Sequence, residues 1–170
     1  TAITADTPFY IASTTKAFTG HIAAQLAHDG IVSLTTPVTE LMPELRFHPS
    51  IKTESITLTS LLNHTHGIDG NGPITYRTAY TAEYANKKQL LDLLAQHPAA
   101  RNGSAFEYSN IGPILAAYIL EHKTGKAWQD MIDQMIFQAI PMRHSANRLS
   151  QLSELDIAQG HEIGSDGFYP

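Results

Sequence analysis

Apolar residues recur along this chain mostly at helical spacing. After a short apolar run, Phe9-Tyr10-Ile11-Ala12, the residues Phe18, Ile22 and Leu26 return once per turn, with Ala17, Ala23, Ala24 and Ala27 between them. That pattern predicts an amphipathic helix opening at Ser13. Asp29-Gly30 stops it, since glycine is the usual residue just past a helix end. Thr36-Pro37 predicts a second start, Thr as cap and Pro as first helical residue, running through Leu41. Thr59-Ser60-Leu61-Leu62-Asn63-His64 reads as a short helix ending at Gly67. Asn86-Lys87-Lys88-Gln89 resembles a capping box, and it opens a helix with Leu90, Leu91, Leu93 and Leu94 that Pro98 stops. Ser109-Asn110 cap a further helix, with Pro113 in its first turn, Ile114, Leu115, Tyr118 and Ile119 on one face, and Gly125 at its end. Trp128, Met131, Ile132, Met135 and Ile136 keep amphipathic spacing in one more. Strands are few: Phe9–Ala12, Ile31–Leu34 and Ser55–Leu58 read as short extended pieces. Residues 67–85, 99–109 and the stretch from Pro141 read as loops.

Composition narrows the class. A chain of 170 residues, 42% hydrophobic and 16% charged, suits a single domain or fragment over residues 1–170. A net charge of -5 without a Lys/Arg-rich run argues against nucleic acid as partner. No apolar stretch is long enough to span a bilayer. The absence of cysteine excludes disulfides and thiol catalysis. The chain opens on Thr1 and carries no signal peptide, so it reads as cut or processed from something longer.

Two constellations carry chemistry. Ser13 and Lys16 are one helical turn apart at a helix start. A serine hydroxyl becomes a nucleophile when a neighbouring base takes its proton, and a desolvated lysine serves that purpose. Read alone, Ser13 is an N-cap and Lys16 a solvated side chain. The second constellation is Tyr108-Ser109-Asn110, in a loop before a helix. A tyrosine beside cations can act as general base or acid, and an asparagine can hydrogen-bond both a lysine and a substrate amide. Read alone, Tyr108 packs its ring and Ser109 or Asn110 caps the helix. His64-Thr65-His66-Gly67-Ile68-Asp69 has the look of a zinc motif, but the closing histidine and a surrounding βαβ pattern are absent. These histidines are read as structuring the loop, and neither a metal nor a cofactor is expected. G-x-S-x-G is absent.

Three segments together resemble the serine β-lactamase-related family of class C β-lactamases, D-alanyl-D-alanine carboxypeptidases and related esterases. They are Ser13-Thr14-Thr15-Lys16-Ala17-Phe18, Leu61-Leu62-Asn63-His64-Thr65-His66-Gly67-Ile68 and Phe106-Glu107-Tyr108-Ser109-Asn110-Ile111-Gly112. The resemblance implies a mainly α chain, the helical part of the α+β β-lactamase/transpeptidase-like fold with its sheet largely missing. It implies Ser13 as acylated nucleophile, Lys16 in proton transfer, Tyr108 as the base that activates Ser13 and later the water, or the acid for the leaving group, and Asn110 positioning Lys16 and substrate. It also implies a small-molecule or peptide substrate and a periplasmic, secreted or membrane-associated location. The family's third motif, Lys or His before Thr-Gly or Ser-Gly, is expected beyond Pro170. Lys123-Thr124-Gly125 is read instead as a helix C-cap with a basic last turn.

Two functions of different class follow. One is a serine hydrolase acting through an acyl-enzyme on a β-lactam, a D-Ala peptide or an ester. The other is a non-catalytic binding or scaffold domain that keeps the fold. An apolar face left open where the sheet should pack is expected to favour self-association.

Overall fold

The computed structural model describes residues 2–69, 87–100, 103, 105–152, 157–160, 162–164 and 167–169. The expected loop 67–85 and the capping residue Asn86 lie largely outside them. The chain divides into two compact units, Lys16–Trp128 and the combination of Thr1–Thr15 with Gln129–Pro170.

The larger unit is helical. Helix α1 (Lys16–His28) buries Thr19, Ile22, Ala23 and Leu26. Thr19, rather than Phe18, opens the buried stripe, because its hydroxyl accepts a hydrogen bond from the Trp128 indole at 3.0 Å. Gly30 follows at φ 71°, the left-handed stop that the sequence calls for. Helix α2 (Val38–Leu41) begins one residue later than expected, with Pro37 as N-cap. Thr53–Ser55 is a 3-10 turn where an extended piece is expected to start, and Thr57 bridges Pro37.

Helix α3 (Leu58–Leu62) starts on a reciprocal cap: the Thr57 hydroxyl accepts from the Ser60 amide, and the Ser60 hydroxyl accepts from the Thr57 amide. Satisfying these two orphan donors lets five residues hold as a helix. Helix α4 (Lys87–Leu94) stops four residues short of Pro98, with Leu94 buried. Helix α5 (Ile111–Thr124) is the centre, packed on α1, α2 and α3. It buries Ile111, Gly112, Leu115, Ala116, Ile119 and Leu120, a face rotated from the expected one, leaving Ile114 and Tyr118 at its margin. Each large aliphatic side chain so buried is worth about 1.5–3 kcal/mol.

Gly125 caps α5 at φ 68°, donating its amide to Glu121 at 2.8 Å, so Lys123-Thr124-Gly125 is a helix stop as read from the sequence. Gly125→Ala is expected to cost about 1 kcal/mol, because a Cβ disfavours the left-handed region while the space around it is open. Chemical denaturation checks this; an unchanged midpoint would remove the cap from the account.

The smaller unit is described by itself. Phe9–Ile11 forms no strand and is exposed, and a 3-10 turn (Ala12–Thr15) follows. Helix α6 (Trp128–Ile132) passes into a π-helical turn, Asp133–Phe137, which the regular apolar spacing conceals. The Arg148 guanidinium pairs with both Asp130 and Asp133, and the Asn147 amide donates to Asp133 at 2.8 Å. These bonds tie helix α7 (Leu149–Leu152) and its approach to that turn. Strands β1 (Glu162–Gly164) and β2 (Gly167–Tyr169) pair antiparallel, Ile163 opposite Phe168, in a stretch read from sequence as loop. Among the described residues no helix is long and apolar enough to cross a membrane.

Candidate active site

The site residues of the larger unit converge on the loop before α5. Lys16, the first residue of α1, holds its ammonium 5.0 Å from the centroid of the Tyr108 ring. That is within the range where an aromatic face attracts a cation. The two residues come from motifs far apart in sequence, and the packing of α1 on α5 brings them together. Tyr108 is half exposed.

Asn110 is the N-cap residue of α5, but its side chain makes no capping bond. Ser109 does not cap either. Its hydroxyl meets His66 Nε2 at 3.1 Å, and its amide donates to His64 Nδ1 at 3.3 Å. The expectation that one of these side chains closes the helix is therefore corrected. Asn110 is left uncommitted to capping, and Ser109 is turned inward and buried.

His64 and His66 hold this loop from the other side. His64 follows the α3 C-cap in the left-handed region, at φ 62°. Its carbonyl accepts from the Glu107 amide at 2.9 Å. Its ring lies 4.7 Å from the Tyr108 ring and 5.8 Å, edge-on, from Phe106. Burial first, and the Lys16 cation second, lower its pKa. His66 is buried, and the Ile68 amide donates to its Nδ1 at 3.1 Å. The proton of the neutral ring is thereby assigned to Nε2, which donates to Ser109. Burial, with a smaller contribution from His64, brings the His66 pKa down to about 4. Both ring nitrogens are engaged within the protein, which fits the loop-structuring reading. Among the described residues no cluster of His, Asp and Glu could hold a metal ion.

The rest of this segment is pinned by a second loop. Asp69 donates to Pro98 at 3.0 Å, Ala100 donates to Gly67 at 2.8 Å, and Ile68 bridges Ala99.

Ser13 belongs to the smaller unit, on the exposed 3-10 turn Ala12–Thr15. Ala12, just before it, has φ 45°, a left-handed conformation unusual for a residue with a Cβ. Strain of this kind gathers at functional sites.

The β-lactamase family model matches residues 1–167. The chain belongs to the β-lactamase family. Among its relatives is the protein flp of Staphylococcus aureus (strain MW2), 28% identical over 162 residues, which cover 92% of this chain and 31% of flp. The chain thus spans about a third of the length of that curated relative. A solved D-amino acid amidase from Ochrobactrum anthropi SV3, complexed with L-phenylalanine amide, superposes with a TM-score of 0.69 at 28% identity, covering 98% of this chain and 48% of the amidase. A class C β-lactamase in complex with cefoxitin superposes at 0.72 and 22% identity, covering 98% and 44%, and shares the fold. The mainly helical architecture is thus part of the β-lactamase/transpeptidase fold.

Of the candidates Ser13, Lys16, Tyr108 and Asn110, the larger unit brings the Lys16 ammonium to the Tyr108 ring, while Ser13 belongs to the smaller unit. What the sequence does not show is that His64, read there as structuring the loop, packs its ring against Tyr108. The signal was there in His-x-His between Leu61-Leu62 and Gly67, but nothing local shows that it faces Tyr108.

Proposed function

We propose that the protein is a serine hydrolase that acts by acyl transfer through a Ser13 acyl-enzyme. The observation that carries this reading is the approach of the Lys16 ammonium to the ring of the half-exposed Tyr108. In this reading Tyr108, with the Lys16 cation at its ring, serves as the general base. In the proposed reaction Tyr108 takes the proton of the Ser13 hydroxyl, and the oxygen attacks the substrate carbonyl. The tetrahedral intermediate collapses to an ester on Ser13, and the leaving group departs with the proton from Tyr108. Water, deprotonated by Tyr108, then hydrolyses the ester and restores Ser13. Lys16 keeps the proton network charged, and Asn110 orients Lys16 and the substrate amide.

The substrate is proposed as a small carbonyl compound: a β-lactam, a D-Ala peptide or amide, or an ester. The amidase and the β-lactamase among the structural neighbours support that range. An extracytoplasmic location and self-association through the exposed Phe9-Tyr10-Ile11 run belong to the same proposal.

The test is intact mass after incubation with a fluorophosphonate and, separately, with a penicillin. An adduct that maps to Ser13 and is absent from Ser13→Ala is expected. A folded protein that takes no adduct, or takes one elsewhere, would favour a binding or scaffold domain.

A further inference from the structure

We propose that His64 is the positioning residue for Tyr108, gripping residues 106–109 from a single left-handed turn and so holding the phenol beside Lys16. This rests on the acyl-transfer reading above for its consequence, though not for its geometry.

Four contacts from one residue make the grip. The His64 carbonyl accepts from the Glu107 amide at 2.9 Å, and the ring Nδ1 accepts from the Ser109 amide at 3.3 Å. The ring faces Tyr108 at 4.7 Å and meets Phe106 edge-on at 5.8 Å. Carbonyl and ring can reach alternate residues of the same loop because the φ of 62° turns the backbone back on itself. The loop therefore has its two amides fixed from one side and its two aromatic rings packed on the same imidazole. The Lys16 ammonium sits 5.0 Å from the Tyr108 ring. A shift of Tyr108 by an ångström would change that approach, and displacements of this size cost catalysis heavily.

The grip depends on charge. Nδ1 can accept from Ser109 only while it carries no proton. Among the described residues, the titratable groups shown to interact with the ring are Lys16 on α1, Tyr108 in the loop and His66 two residues on. Protonation of His64 would take away the acceptor and set a second cation near Lys16. Acid is thus expected to release the loop as His64 takes up its proton.

Two measurements test this. In the unaltered protein, the Ser109 amide shift in a 1H–15N spectrum should titrate with the His64 ring protons, at one shared midpoint. His64→Asn keeps a residue that tolerates the left-handed turn but removes the ring. It is expected to fold, to lose the Ser109 titration, and to form the Ser13 adduct at least tenfold more slowly. The acid step in the labelling rate that tracks His64 should vanish with it. A Ser109 amide indifferent to His64, or a folded variant labelled at the unaltered rate and pH profile, would overturn the proposal. If even the unaltered protein takes no adduct, the acyl-transfer reading fails while the Ser109 titration still decides the grip.

Discussion

Gly112→Ala is expected to destabilise the protein by at least about 2 kcal/mol. Gly112 lies in the first turn of α5, where α5 crosses α3. A Cβ there would run into the Leu61 carbonyl oxygen and come within 2.9 and 3.0 Å of His66 Cδ2 and Nε2. The first obstacle is backbone and moves only if the helix moves. The second is a ring whose nitrogens are both hydrogen-bonded. Overpacking of this kind costs about 1–3 kcal/mol or more, and a rigid carbonyl puts this site at the upper end. Alanine's better helix propensity returns about 1 kcal/mol. The remainder should appear as a lower denaturation midpoint at constant slope, together with loss of the His66–Ser109 bond. A variant as stable as the parent would mean that α3 and α5 do not approach this closely.

His66 should make the protein acid-sensitive. Its folded pKa of about 4 lies below the ordinary 6.5, so the fold favours the neutral ring. A depressed folded pKa contributes stability that is present in full above the unfolded value. It is lost as pH falls toward the folded value. Between pH 6.5 and 4 the unfolded chain takes up the proton and the folded one resists. The loss is about 3 kcal/mol by pH 4, at about 1.4 kcal/mol per unit. His66→Asn lacks this titration. It should be less stable than the parent at pH 8, where the Ser109 and Ile68 bonds are weakened. The gap should then narrow by about 3 kcal/mol toward pH 4. A difference between the two proteins that does not vary with pH would show that His66 is not held neutral.

Much of this architecture is legible in the sequence. The stops at Gly30 and Gly125 announce themselves because a left-handed residue is a local demand. The Ser13–Lys16 and Tyr108–Asn110 motifs are local spacings as well. Other features were hidden because their causes are distant. Thr19 replaces Phe18 on the buried face of α1 since an indole from Trp128 needs an acceptor. Ser109 turns away from capping because two histidines on another loop claim its hydroxyl and amide. The buried face of α5 is set by neighbours on several sides, and periodicity alone does not orient a helix so widely covered. The π turn at Asp133–Phe137 leaves the apolar stripe nearly intact, so spacing could not betray it.

The crossing of α3 and α5 also bears on how the site comes into being during folding. Bringing together segments almost fifty residues apart costs about 3 kcal/mol in loop-closure entropy. The helices α3 and α5 span that separation, and their apolar packing offsets the closure. His64 lies just past the end of α3, and Ser109 just before the start of α5. Their bonds therefore join ends that the core has already brought together, and almost no further chain entropy opposes them. The grip on Tyr108 is in this sense a by-product of core assembly: once the two helices dock, the loop has little left to search.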